Sequence, residues 1–180
     1  MSTDNSSDLS KTIKIKSSKK KKKDLDIYSP AIITKTIYIS INNVGSNIKQ
    51  VLQKVISNEI EGKCISEGYI KADSVKIISY SNGVVYGSDI QFQVVFECLV
   101  CFPVEGMHIN CIAKNITKAG IRAELDELTS ALVIFIARDH NYTNKNFSSI
   151  KENDLIKVRV IGQRFELYDT YVSVIAELIT

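Results

Sequence analysis

IQFQVVFECLVCFPVEG, residues 90–106, decides how the fold is read. Ile90, Phe92, Val94, Phe96, Cys98, Val100 and Phe102 recur at every second position, the period of a strand with one face in a core. The opposite face begins polar, with Gln91, Gln93 and Glu97, and ends apolar, with Leu99 and Cys101. The far half of the strand is therefore expected to be covered on both sides. Pro103 has no amide hydrogen to continue a ladder, and Gly106 lets the chain turn sharply. The stretch reads as the last strand of one module, a junction at 103–106, and a second module packed on the doubly apolar strand end.

Upstream of the junction, IITKTIYISI (32–41) is rich in β-branched residues and roughly alternating, as a strand is. From 42 to 62 the period changes: Ile48, Val51, Leu52, Val55, Ile56 and Ile60 paint one face of a helix, with Ser46 placed to cap its start and Gly62 to end it. CISEGYI, SVKIISY and VVY follow as short strands, with a turn at SNG. Residues 27–103 thus predict an α+β module.

Downstream the segments are strands. MHINCIAKNI is the first, and GIRAEL the second, with Ile121, Ala123 and Leu125 inward and Arg122 and Glu124 outward. ALVIFIAR reads as a buried third. A polar loop at 139–154 precedes LIKVRVIG, where Ile156, Val158 and Val160 alternate with Lys157 and Arg159. A turn at Tyr168–Thr170 leads to YVSVIAEL, with Val172, Val174, Ala176 and Leu178 inward. Five strands within 104–180 are the content of an OB-type barrel, whose outer face commonly binds single-stranded oligonucleotides.

The chain of 180 residues is 44% hydrophobic, enough to build cores without staples. Its charge is unevenly placed. Residues 1–26 hold eight lysines against four aspartates, +4, while 27–180 hold fifteen basic and sixteen acidic side chains, −1. That lysine-rich tail has almost no large apolar residues and reads as disordered, serving as a solubilising extension, a localisation signal or a loose nucleic-acid tether. Neither a signal peptide nor an apolar run of membrane-spanning length is evident, so the expected location is intracellular, with Cys64, Cys98, Cys101 and Cys111 as reduced thiols.

Catalytic and metal chemistry find little support. Cys98-x-x-Cys101 has knuckle-like spacing, yet on a strand residues three apart point to opposite faces and cannot share a metal. His108 and His140 lack partners at ligand spacing beyond Asp139, which a surface loop explains, Glu124, Asp126 and Glu127 fit a paired-carboxylate site and a polar turn equally well, and no phosphate-binding glycine loop occurs. No enzyme, metal or cofactor is expected.

EGKC with GYI after it, FQVVFECLVCFPVEGM, AKNITKAGIRAEL and VRVIGQRFE come in an order that resembles the seventh subunit of eukaryotic RNA polymerase II and its archaeal counterpart, over roughly residues 30–179. The chain departs from that pattern at Met107 and at Asp126 and Glu127, and the tail is additional. The resemblance implies a truncated-RNP-like docking domain at 27–103 and an OB-type RNA-binding domain at 104–180. It further implies a non-catalytic stalk subunit that sits on the core subunits of a multisubunit RNA polymerase, with a second stalk subunit and nascent single-stranded RNA as partners. The expected location is the nucleus, or a cytoplasmic viral factory and virion for a large DNA virus. Candidate docking residues by this resemblance are Glu61, Gly62, Cys64, Gly68, Tyr69 and Ile70; locally they also read as a helix end, a turn and core. Candidate RNA contacts are the cations Lys114, Arg122, Lys157, Arg159 and Arg164, with His108, Tyr168 and Tyr171 for stacking. A free-standing OB-fold RNA-binding adaptor in translation or RNA decay is the alternative.

Overall fold

The computed structural model describes residues 27–179 apart from 46, 128, 143 and 144. The tail at 1–26 and the expected cap Ser46 lie outside the described residues. In chain order the elements are β1 (Tyr28–Ser40), α1 (Ile48–Ile60), β2 (Cys64–Ile65), β3 (Gly68–Ile70), β4 (Lys76–Tyr80), β5 (Val84–Tyr86) and β6 (Asp89–Cys101). After the junction come β7 (His108–Ile116), β8 (Gly120–Glu124), β9 (Leu132–Ala137), β10 (Leu155–Arg164) and β11 (Val172–Leu178). With one α-helix among the described residues, the chain is mostly β, rather than having the balance of helix and strand that the α+β reading suggested.

The first sheet is organised by β6. Along its whole length β6 pairs antiparallel with β1, from Tyr28↔Cys101 to Ser40↔Asp89. Its other edge is shared end to end by β3, β4 and β5, and β2 continues outward from β3. β1 starts at Tyr28 rather than at Ile32 and contains Pro30, tolerated because β1 is an edge strand with no second neighbour to supply. Helix α1 lays Leu52, Ile56 and Ile60 on the face that also carries Ile37, Phe92, Val94 and Phe96. Burying such side chains stabilises by about 1.5–3 kcal/mol each.

The second sheet closes on itself in the order β10-β11-β9-β8-β7, with β7 returning to β10. All pairs are antiparallel except β9 with β11. This mixed five-stranded barrel is compatible with the OB type. Alternation fills its interior with Ile109, Cys111, Ile121, Ala123, Ile134, Val158 and Val174, all buried.

The two sheets meet on one row of side chains. Tyr28, Cys101, Tyr69 and Cys64 are register partners across β1, β6, β3 and β2, and all four belong to the barrel's core cluster. Leu99 packs there too. Cys98, three residues before Cys101, belongs to the helix-side cluster instead.

Two aromatic positions differ from the sequence expectation. β6 ends at Cys101, so Phe102 leaves the strand face, is 44% exposed and meets Phe165 edge-on at 6.0 Å between centroids. The segment 139–154 is less purely polar than its composition suggests: Phe147 is buried in the barrel cluster and Asn141 is buried with its amide spent on Ala137 O and Leu178 N. Pro103 is buried, and Gly106, at φ +83°, donates its amide to Val160 O at 2.8 Å, which seats the junction on β10. No helix among the described residues is long and apolar enough to cross a membrane.

Candidate nucleic-acid interface and docking surfaces

Strand β8 points Ile121 and Ala123 into the barrel, so Arg122 must point out. Register places Arg122 between Asn115 of β7 and Phe135 of β9, and Phe135 beside Ile175 of β11. Phe135 is 40% exposed and Ile175 47% exposed. A guanidinium, an open aromatic face and an apolar neighbour thus stand in one row across the outer barrel. An aromatic face beside a cation is a combination on which a base can stack while its phosphate is paired. Arg122 also pairs with Glu124 at 2.9 Å. An exposed ion pair of this kind contributes about 0–1 kcal/mol, so a phosphate can displace the carboxylate.

The other nominated cations do not join that row. Lys157 and Arg159 point outward from β10, and Arg159 lies between His108 and Glu177, paired with the latter carboxylate. His108 begins β7 and Asn115 ends the part of it facing Arg122, about 23 Å apart at a strand's rise per residue. Lys114 is exposed at the bulge between Ala113 and Asn115. Arg164 pairs with Glu166 at 3.0 Å at the far end of β10.

Tyr168 and Tyr171 lie on the seam between the sheets. The Cys64 amide donates to Asp169 O at 2.7 Å, the Tyr168 amide donates to Cys64 O at 2.8 Å, and the Cys64 thiol donates to Tyr171 O at 3.6 Å. The β10–β11 turn thereby extends the edge of β2. Tyr168 holds φ +70° and, with Leu167, borders a pocket of about 230 Å³ that Ile33, Ile60, Ile65 and Phe96 also line.

The six nominated docking residues are largely consumed inside the chain. Cys64, Gly68, Tyr69 and Ile70 are buried. Glu61 accepts the Val75 amide at 2.9 Å, and Gly62, at φ +71°, ends the helix with its amide donating to Ile70 O at 2.9 Å. Of the six, only Glu61 and Gly62 are partly accessible: Cys64 and Tyr69 belong to the barrel's core cluster, Ile70 to the helix-side cluster, and Gly68 lies against Cys101 and Val100 of β6.

The open apolar surface is elsewhere, at the end of the first sheet away from the barrel. Tyr38, Ile41, Val84, Val85 and Tyr86 are exposed there, with Val85 at 69%. The Tyr38 and Tyr86 rings lie 5.8 Å apart, and the Ile41 amide donates to Ser88 O at 3.2 Å. No charged residue occurs from 77 to 88. Phe135 and this tip are the two features that the sequence reading missed. ALVIFIAR looked buried throughout because its outward positions, Val133 and Phe135, are apolar as well; strict alternation along it would have separated Phe135 from Ile134 and Ile136.

Burial is the leading cause of every resolved pKa shift. It pushes the Cys64 and Cys98 thiols up to about 11 and the Cys101 and Cys111 thiols up to about 12, with Asp169 and Glu127 adding at Cys64 and Cys101 respectively. Burial and then Glu127 likewise raise the Tyr28 and Tyr69 hydroxyls. Thiols so placed are poor nucleophiles at neutral pH. Among the described residues no group of three His, Cys, Asp or Glu side chains is arranged to hold a metal ion.

No protein-family model matches the sequence. Over 145 residues the chain is 26% identical to a protein of Acanthamoeba polyphaga mimivirus named "Putative DNA-directed RNA polymerase subunit", covering 74% of this chain and 72% of that protein. The chain is thus similar to a viral protein bearing the name of an RNA polymerase subunit. The likeness stops at that general description and names no particular subunit.

Proposed function

We propose that the chain is a non-catalytic stalk-type subunit of a viral multisubunit DNA-directed RNA polymerase. Residues 27–103 form its RNP-like docking half and 104–180 its OB-type half, which meets nascent single-stranded RNA. The likeness to the mimivirus protein carries the polymerase part of this reading. The row Arg122–Phe135–Ile175 on a closed barrel supports the RNA part. A charge-free apolar tip open to solvent supports docking, since patches of that kind mark protein contacts. The docking surface is accordingly moved from the buried residues around Cys64 to Tyr38, Ile41 and Val84–Tyr86.

Affinity purification of the tagged chain from infected cells, read by mass spectrometry, is expected to recover the large polymerase subunits, and Val85→Asp with Tyr86→Asp to lose them while the fold survives. Recovery of ribosomal or RNA-decay proteins instead would favour the free-standing adaptor. In the assembled polymerase, replacing Arg122, Lys157 and Arg159 by Ala is expected to weaken RNA crosslinking without releasing the subunit, because all three point away from the barrel core. Undiminished crosslinking would reduce these residues to a solvated face.

A further inference from the structure

We propose that Phe135, Arg122 and Glu124, on the outer face of β8 and β9, form a subsite for one guanine base of single-stranded RNA. Phe135 stacks on the base, the Arg122 guanidinium donates to its O6 and N7 atoms, and the Glu124 carboxylate accepts from its ring N–H and its amino group. This rests on the RNA reading above and specifies which base the barrel selects.

The first ground is placement. Arg122 and Glu124 are two residues apart on β8 with the buried Ala123 between them, so both side chains leave the barrel on the same side, about 7 Å apart at the backbone. Arg122 is the register partner of Phe135, and Glu124 that of Val133, two residues earlier on β9. The Phe135 ring, open to solvent, therefore stands directly across from the guanidinium and diagonally across from the carboxylate, within about 7–8 Å. Glu124 lies between Ile112 and Val133, both apolar, and pairs with Arg122 at 2.9 Å. A cation and an anion are thus held side by side next to an exposed ring.

The second ground is the pattern of donors and acceptors. Guanine presents two neighbouring acceptors, O6 and N7, and in a single strand it also exposes two neighbouring donors, its ring N–H and its amino group. Arg122 offers a fork of donors and no acceptor, while the Glu124 carboxylate offers two acceptors and no donor. Guanine is the one base of the four that supplies both pairs. Adenine and cytosine carry a single amino group beside bare ring acceptors, and uracil a single N–H between two carbonyls.

The third ground is charge. A phosphate arriving at Arg122 has to displace Glu124 and then lies beside a repelling carboxylate. A guanine edge needs no such exchange, because it bridges the two side chains and gives each a charge-assisted hydrogen bond. Arg159 and Arg164 also pair with carboxylates, Glu177 and Glu166. Their register neighbours are His108 and Glu177 for the first and Ser173 for the second, so an exposed phenylalanine singles out the pair on β8.

The test is fluorescence anisotropy of the full chain with labelled oligouridylates of about twelve nucleotides in about 50 mM KCl, low enough to keep weak binding measurable. One central position carries guanosine, adenosine, cytidine, uridine or inosine, the last being guanosine without its amino group. The wild-type chain is expected to bind the guanosine oligonucleotide about ten-fold more tightly than the adenosine, cytidine and uridine ones, and inosine is expected to lose several-fold of that gain, roughly one hydrogen-bonded contact. Glu124→Gln, which turns one acceptor into a donor on an exposed side chain, is expected to level guanosine with the other bases. Phe135→Ala is expected to weaken all five oligonucleotides about ten-fold by removing the stacking face. Equal binding of all five by the wild type, a guanosine preference that survives Glu124→Gln, or undiminished affinity in Phe135→Ala would overturn the guanine subsite and leave RNA binding standing. A wild-type chain that binds none of them would overturn the RNA reading itself.

Discussion

Gly68 offers the sharpest separation of a structural role from a docking role. It opens β3 at φ +129°, and a Cβ added there would stand 2.6 Å from the Cys101 carbonyl oxygen, 3.0 Å from Val100 Cγ1 and 3.2 Å from Phe102 Cβ. The first of these is backbone of the strand that β3 pairs with, so it cannot swing aside. Holding alanine in a glycine-only conformation costs about 1–3 kcal/mol. Forcing a methyl group against packed backbone adds about 1–3 kcal/mol. At this chain length each kcal/mol moves the melting temperature by about 2–4 °C, so Gly68→Ala is expected to lower it by roughly 5–20 °C. Gly62 is the control: it also has positive φ, at +71°, but a Cβ there meets nothing within 4 Å. Its substitution by Ala carries the left-handed penalty alone, about 1–2 kcal/mol, or roughly 2–8 °C. Circular dichroism melts of the three purified chains read both numbers. Equal shifts in the two variants, or no shift in Gly68→Ala, would refute the packing argument and restore Gly68 as a residue kept for a partner.

Tyr28→Phe removes the donor to Glu127 while keeping the ring, and is expected to cost about 1–3 kcal/mol in denaturant titrations; no change in midpoint would mean that this bond does not hold the sheets together. Because burial raises all four thiols from 9.0 to about 11 or 12, the folded chain keeps protons that the unfolded chain releases near pH 9. The contribution is fully present below that pH, and stability is expected to fall as pH rises from about 9 to 12, whereas a flat profile would place the thiols in contact with water. Deleting residues 1–26 is expected to leave the melting temperature within error, since their composition offers almost no apolar surface to bury; a drop of several degrees would show that they dock on the fold.

Period-two alternation made the barrel strands legible, because each has water on one side and core on the other. The inward sets Ile121, Ala123 and Leu125, or Ile156, Val158 and Val160, are buried as the pattern requires. The apolar end of β6 at Leu99 and Cys101 announced a second covering layer, and the barrel's core cluster supplies it. Alternation fails where both faces are apolar for different reasons. In β9 the inner Ile134 fills the core while the outer Phe135 stands open beside Arg122, and no local rule tells a covered phenylalanine from an offered one. Phe102 and Phe147 show the same ambiguity in opposite directions, one leaving the core and the other entering it.

Chain chemistry alone therefore determined strand and helix placement, the break at Pro103, the cysteines' separation onto two faces and the concentration of positive charge in 1–26. Those features depend on period, backbone donors and composition, which are local. Tertiary structure decided which surface remains open. The barrel's core cluster takes in Cys64 and Tyr69, the helix-side cluster takes in Ile70 and Gly68 is closed against β6, while β5 finds no cover for Val84, Val85 and Tyr86. Exposure is a property of what packs on a residue from far along the chain, and spacing carries no record of that.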